Sequence, residues 1–299
     1  MTFTPEEERF TDVMAQFTAY FGKHLPDDVM EKLKRLREEQ TSDIARLIYD
    51  AMFEDLAMAA ERDVPCCQDT GVIQYYVRLG ADFPVRNGLE ACLREAVRRA
   101  TTSAPLRHNA VQIFDEKNTG DNVGVRIPWI DLELVPDSDE CTIYGYMAGG
   151  GCSLPGAAKV LMPVEGYEAI VEFVFDTICE RGVNACPPLL LGIGIAGSVD
   201  VAATLAKRAL MRPAGSHIDN ARGAEFERML AEGLDRLDIG PGGLTGRKTV
   251  MGVNVEVAAR HPSCLAVSVQ TGCWAHRRAA IRFKSDLSFE VLTHKGALC

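Results

Sequence analysis

The sequence predicts an α/β protein: a helical N-terminal head followed by mixed β-sheets flanked by helices. Three observations carry that expectation. The first sixty or so residues hold helix-start signals and helical periodicity, and the remainder alternates apolar strand-like runs with helical segments. The third is content: 47% of the 299 residues are apolar, enough for a substantial core.

The elements follow in order. Thr4 precedes Pro5, with Glu7 three residues on, which is a capping-box pattern; Pro26-Asp27-Asp28 opens a second, heavily charged helix. Ser42 or Asp43 caps a third, and Ile44, Leu47, Ile48 and Ala51 at i, i+3, i+4 and i+7 predict its buried face. Beyond this head, "GVIQYYVRLG" (71–80) reads as a strand and 88–102 as a helix. "WIDLELVP" and "CTIYGYM" alternate as strands do, and 165–181 is helical. A strand at 188–195, helices near 199–211 and 220–237, and strands near 249–257 and 264–270 complete the body. "GPGGLTG" (240–246) reads as a loop. With no internal repeat and no clear linker, residues 1–299 read as one domain that includes the head at 1–62.

A net charge of −10 and a pI near 5.2 argue against general affinity for nucleic acid or anionic membrane, which need a cationic surface. An anionic ligand must be held by local cations. The start, "MTFTPEEERF", lacks the pattern of a signal peptide, and no apolar run reaches bilayer length, so the expected compartment is the cytoplasm. There, the ten cysteines are expected to stay unpaired, as buried filler, reactive thiols or metal ligands. No C-x-x-C occurs, which removes compact zinc-ribbon and thioredoxin-like readings.

Gly192, Gly194 and Gly197 have the G-x-G-x-x-G spacing of a dinucleotide site. Such a site needs a second strand ending in an acidic residue about 20 positions on, and "RPAGSHIDN" offers none. A tight strand-to-helix turn is favoured over a nicotinamide site.

Three cysteines have loop-like settings at strand edges beside Pro or Gly: Cys67 in "PCCQDTG", Cys186 in "NACPP" and Cys273 in "QTGCWAHRR". Cys92 and Cys179 fall in helices, Cys141 and Cys264 in strand patterns, and buried filler is the better reading for those four. Cys66, Cys152 and Cys299 stay open. Nearby polar segments offer Gln68 and Asp69; Arg107, His108 and Asn109; the glycines 149–151; His261; and the cationic pair Arg277 and Arg278. Taken singly, each has a plain reading: a turn, a surface charge, a flexible loop, a strand-end donor, a solvated pair.

Together, "CQDTG", "PLRHNAVQIFDEKNTGDN", "YMAGGGCSLPGAAKVLMP", "VNACPPLLLGIGIAGS" and "QTGCWAHRR" resemble the class I (iron–sulfur) fumarase and tartrate dehydratase family, in order and essentially end to end. The resemblance implies the N-terminal domain type of that family and a 4Fe–4S cluster held by Cys67, Cys186 and Cys273, with one iron not ligated by cysteine. Cys67 rather than Cys66 is the implied ligand because the family cysteine directly precedes "QDTG". Gln68, Asp69, Arg107, Gly150 and His261 are implied to contact substrate. Asp69, Arg107 and His261 are the implied catalytic groups, Asp69 as acid/base. The implied activity is dehydration of L(+)-tartrate to oxaloacetate and water, with hydration of fumarate to L-malate as the alternative. Single-chain relatives carry a further C-terminal domain, so a β subunit is expected to complete the site, in an α2β2 assembly. Two readings from other classes remain: a nicotinamide oxidoreductase built on the 192–197 glycines, and a noncatalytic iron–sulfur subunit.

Overall fold

Thr4 caps the first helix as the sequence predicts. In the computed structural model, which describes residues 2–298, its hydroxyl accepts the Glu7 backbone N–H at 3.2 Å, and the Glu7 carboxylate accepts the Thr4 N–H at 2.9 Å. Two donors that a helix start leaves without intrahelical partners are thereby satisfied. This helix is α1 (Pro5–Lys23), followed by α2 (Asp27–Glu38) and α3 (Asp43–Arg62). Then come β1 (Val72–Gly80), α4 (Leu89–Ser103), β2 (Val111–Gln112), β3 (Lys117–Asn118), β4 (Trp129–Val135), β5 (Cys141–Ala148), α5 (Gly150–Ser153) and β6 (Ala157–Leu161). The remaining elements are α6 (Gly166–Arg181), β7 (Leu189–Ala196), α7 (Val199–Ala209), α8 (Ala221–Asp235), β8 (Val250–Val257), β9 (Leu265–Gly272), β10 (Arg278–Phe283) and β11 (Phe289–Val291). Among the described residues no helix is long and apolar enough to cross a membrane.

The chain forms two compact units. The first comprises Met1–Asp27, Asp55–Gly149 and Arg277–Cys299. Its sheet has the order β11-β10-β5-β1-β4, antiparallel except for the β1/β4 pair. Ile73, Tyr75, Val77 and Leu79 alternate along β1 and point to one face, as a half-covered strand requires. Phe10, Met14, Phe17 and Phe21 of α1 and Leu89, Leu93, Ala96, Val97 and Ala100 of α4 pack into the same core. Both sets recur at helical spacing, so each helix buries one stripe.

The second unit comprises Asp28–Glu54 and Gly150–His276, with the sheet order β6-β9-β7-β8, in which only β7/β8 is parallel. Every residue of β7 is buried, so both faces of that strand are covered. Leu189, Leu191, Ile193 and Ile195 pack with Ile170, Val174 and Ile178 of α6 and Leu230 and Leu234 of α8. The alternate positions, Gly192 and Gly194, lie under α7: a Cβ on Gly194 would stand 1.9 Å from the Ala202 carbonyl oxygen, and one on Gly192 2.1 Å from that of Ala206. Gly197 passes within 3.1 Å, by the same measure, of the His261 backbone nitrogen. The glycine spacing is thus accounted for by backbones in close approach.

One expectation is overturned. On α3, Ile44 and Leu47 are 59% and 68% exposed, Ala51 is exposed and Ile48 half-buried; Ala45, Tyr49 and Met52 turn inward instead. The buried stripe is displaced by one residue, which puts the large Tyr49 ring inside, and an aromatic ring removes more apolar area from water than either aliphatic neighbour.

Candidate active site

In the first unit, the segment Cys66–Gly71 is a loop leading into β1. Gly71 has φ +76, and a Cβ there would lie 2.2 Å from the Ala148 backbone, so glycine lets the loop close against the end of β5. The Asp69 carboxylate sits at that junction. Its Oδ1 accepts the Gly71 N–H at 3.0 Å and the Asn109 side-chain amide at 2.6 Å, and its Oδ2 would be 2.8 Å from a Cβ on Gly149, the first of the three glycines. Asn122, buried and left-handed with φ +59, accepts the Asn109 N–H at 2.7 Å and donates to the Arg107 carbonyl at 3.1 Å. The backbone of Arg107–Asn109 is thereby fixed while the Arg107 side chain is exposed. Gln68 is also exposed, and Cys67 is half-buried.

Arg277 completes this group. Its Nη2 donates to the Asp69 carbonyl oxygen, and its own carbonyl accepts the Met147 N–H at 3.1 Å. Arg277 and Arg278 are each 2% exposed, so the solvated-pair reading is wrong for both. Burial pushes the Cys66 thiol up to about 11, with the Arg277 charge opposing that rise. A protonated, buried Cys66 is a poor competitor for Cys67 as a thiolate ligand.

In the second unit, Cys186 follows a 3-10 turn (182–185) in a left-handed conformation, φ 53 and ψ 75, rare for a residue with a Cβ. Its thiol is exposed, and its carbonyl accepts the Trp274 N–H at 3.1 Å, which brings the Cys186 backbone beside that of half-buried Cys273. Two further contacts gather around this pair. A Cβ on Gly151 would lie 3.0 Å from the Asn184 carbonyl oxygen, and the Thr271 hydroxyl donates to the Cys152 carbonyl at 2.6 Å, tying α5 to the end of β9. Gly150, exposed at the start of α5, belongs to the same end of the sheet.

His261 does not. It lies in the β8–β9 loop, exposed, its Nδ1 accepting the Ser263 N–H at 3.1 Å. The eight-residue β9 separates it from Cys273, roughly 25 Å at the usual rise per strand residue. Within the second unit, then, Gly150, Cys186 and Cys273 come together and His261 stands at the opposite end of the strand.

The remaining cysteines divide. Cys92 and Cys141 are fully buried, as expected of filler, and Cys66 and Cys152 are buried too. Cys179 is exposed on α6 and Cys264 half-buried, so for these two the filler reading fails; Cys299 lies outside the described residues. Among the described residues no group of three or more His, Cys, Asp or Glu side chains is close enough to hold a metal ion. Within the second unit, the backbone places Cys186 beside Cys273; in the first, half-buried Cys67 lies in the loop before β1.

The first unit thus offers a carboxylate held by an amide and a fixed arginine segment, and the second a thiol pair beside a glycine-rich turn. The sequence profile of the family described as fumarate hydratase (fumerase) matches residues 11–282, and the chain belongs to that family. Its relatives carry a more particular name. The L(+)-tartrate dehydratase subunit alpha of Escherichia coli (strain UTI89 / UPEC) is 53% identical over 286 residues, 96% of this chain and 94% of the relative, and that of strain K12 is 52% identical over the same span. The putative L(+)-tartrate dehydratase subunit alpha of Methanocaldococcus jannaschii is 35% identical over 281 residues, 93% of this chain and 99% of the relative.

Proposed function

We propose that this chain is the α subunit of an iron–sulfur hydro-lyase that dehydrates L(+)-tartrate to oxaloacetate and water. The observation that carries the reading is identity above one half to tartrate dehydratase α subunits across 96% of the chain. Cys67, Cys186 and Cys273 would hold the 4Fe–4S cluster. When bound, such a cluster supplies a Lewis-acidic iron that makes the substrate hydroxyl a better leaving group.

The chain's own residues do the rest. Loss of a C–H proton beside a carboxylate builds negative charge on the diacid. Arg107, exposed on a backbone that Asn122 fixes, clamps a carboxylate and offsets that charge with a charge-assisted hydrogen bond. Gln68 and the Gly150 amide donate to remaining oxygens. Asp69, its Oδ1 held by Asn109 and Gly71, exchanges a proton with the hydroxyl. His261 is assigned no role in the same chain's pocket, because of its distance from Cys273.

A β subunit completes the site in an α2β2 assembly, within the cytoplasm, where thiols stay reduced. The test is anaerobic reconstitution with the β partner, followed by assays on L(+)-tartrate, L-malate and fumarate. Oxaloacetate formed from tartrate at a rate far above any fumarase activity supports the reading. Preferential interconversion of fumarate and malate replaces it with the fumarase α subunit, and comparable turnover by the α chain alone removes the β requirement.

A further inference from the structure

Arg277 has a burial that its described contacts leave unexplained. The guanidinium is 2% exposed, yet among the described residues only Nη2 finds an acceptor, the Asp69 carbonyl; Nε and Nη1 are buried with none there. A buried cation left part-satisfied is costly, because its donors have lost water without gaining an acceptor. Such an arrangement persists where the cation serves another purpose. Its neighbours suggest which one. Arg277 anchors the peptide of the implied acid/base residue, and its carbonyl is tied to β5 at Met147. The loop carrying Cys67, Gln68 and Asp69 therefore hangs on a charged residue that lies 208 positions away in sequence.

We propose that Arg277 is a positioning residue that fixes the Cys67–Gln68–Asp69 loop through the Asp69 carbonyl and keeps its two remaining donors for an anionic oxygen in that site. The anchoring half concerns this chain alone; the anion half rests on the hydro-lyase reading. Arg277 differs in this from Arg107, whose exposed side chain can reach ligand without holding the loop.

Two variants separate the halves. Arg277→Met removes every donor, whereas Arg277→Lys keeps a charge and one nitrogen for the Asp69 carbonyl but loses the spread of the guanidinium. In the cluster-free full chain, iodoacetamide alkylation is followed by mass spectrometry, with exposed Cys179 as internal reference. Buried Cys66 is shielded from reagent, and its modification is resolved from that of Cys67 by fragmentation. The expected result is Cys67 alkylation faster by about tenfold in Arg277→Met, as the loop opens more often, near the unsubstituted rate in Arg277→Lys, and unchanged at Cys179. In the reconstituted αβ complex, kcat/KM for L(+)-tartrate is expected to fall about 10- to 100-fold in Arg277→Lys, the equivalent of one charge-assisted hydrogen bond.

Cys67 alkylation within twofold of the unsubstituted rate in a folded Arg277→Met chain overturns the anchor. Tartrate kinetics unchanged in Arg277→Lys overturn the anion role. If circular dichroism shows Arg277→Met unfolded, Arg277→Gln, uncharged and too short to reach the Asp69 carbonyl, carries the test: folded, with Cys67 alkylated several-fold faster than in the unsubstituted chain, it supports the anchor, and with Cys67 within twofold of that rate it refutes it. Absence of turnover in the unsubstituted complex on any of the three diacids would sink the hydro-lyase reading while leaving the alkylation comparison to judge the anchor.

Discussion

The side-chain amide of Asn109 donates to Asp69 Oδ1 at 2.6 Å, joining two loops 40 residues apart in the chain. One carboxylate oxygen is thereby held in place. Asn109→Ala removes that hydrogen bond and loosens the hold on the carboxylate. In the reconstituted complex kcat is expected to fall about 10- to 100-fold, within the range for a displaced acid/base group, with KM changed far less. Steady-state kinetics on tartrate check this; an unaltered kcat would mean that Asp69 needs no such restraint.

Cys186 and Cys179 form a natural pair for testing the cluster ligands, since both thiols are exposed but only Cys186 lies beside Cys273. After anaerobic iron–sulfur reconstitution, Cys186→Ser is expected to lose most bound iron and sulfide together with visible absorbance, and Cys179→Ser to retain them. Equal iron content in the two variants would reject Cys186 as a ligand.

The packing of α7 on β7 predicts a steep penalty at one glycine and none at another. Gly194→Ala would place a methyl 1.9 Å from the Ala202 carbonyl oxygen, forcing helix and strand apart; the expected loss is about 3 kcal/mol. At Gly252 the nearest atom would be 3.4 Å away, so alanine there is expected to change stability by less than about 0.5 kcal/mol. Thermal melts of the two variants make the comparison, and a Gly194→Ala chain as stable as its parent would refute the close approach.

Acid sensitivity of the first unit should trace to His294. Burial pushes its pKa down to about 4, with Asp27 and the His24 carbonyl pulling upward and His24 and Arg278 adding to the depression. His24 is lowered as well, first by burial and then by Lys23. The unfolded chain binds the His294 proton below pH of about 6.5, whereas the folded chain resists it until about pH 4. This contribution is therefore complete above that window and is lost as pH falls through it. Between pH 7 and 4.5 the melting temperature is expected to drop, and His294→Gln to flatten part of the decline, by roughly 2 kcal/mol at the acid end. A variant with the same pH slope as its parent would exclude His294 as the cause.

The long elements were legible in the sequence because each carries its own period or cap: the Thr4–Glu7 box, the alternation of β1, the apolar run of β7. The short strands β2, β3, β6, β10 and β11 were not, since two to six residues hold too little periodicity to separate from a loop. On α3 the periodic reading chose the wrong stripe because apolar residues occupy neighbouring faces and only packing decides between them. The positions of Cys67, Cys186 and Cys273 outside the core were legible through their Pro and Gly neighbours. Arg277 and Asn122 did not, because a buried cation and a buried amide look like surface residues until their partners, distant in sequence, are in place. The left-handed backbone of Asn122 was the nearest thing to a local signal, asparagine being tolerant of that conformation.

β10 pairs with β5 through residues 278–283 and carries β11 on its outer side. During synthesis the long stretch of the second unit, Gly150–His276, has therefore left the ribosome before the first unit has all its strands. Until residues 278–291 emerge, β5 is an open sheet edge on a nascent chain, with one flank unpaired. A stop codon or protease cut near residue 276 would cost the first unit two strands of its sheet and release an aggregation-prone remnant, while sparing the strands of the second.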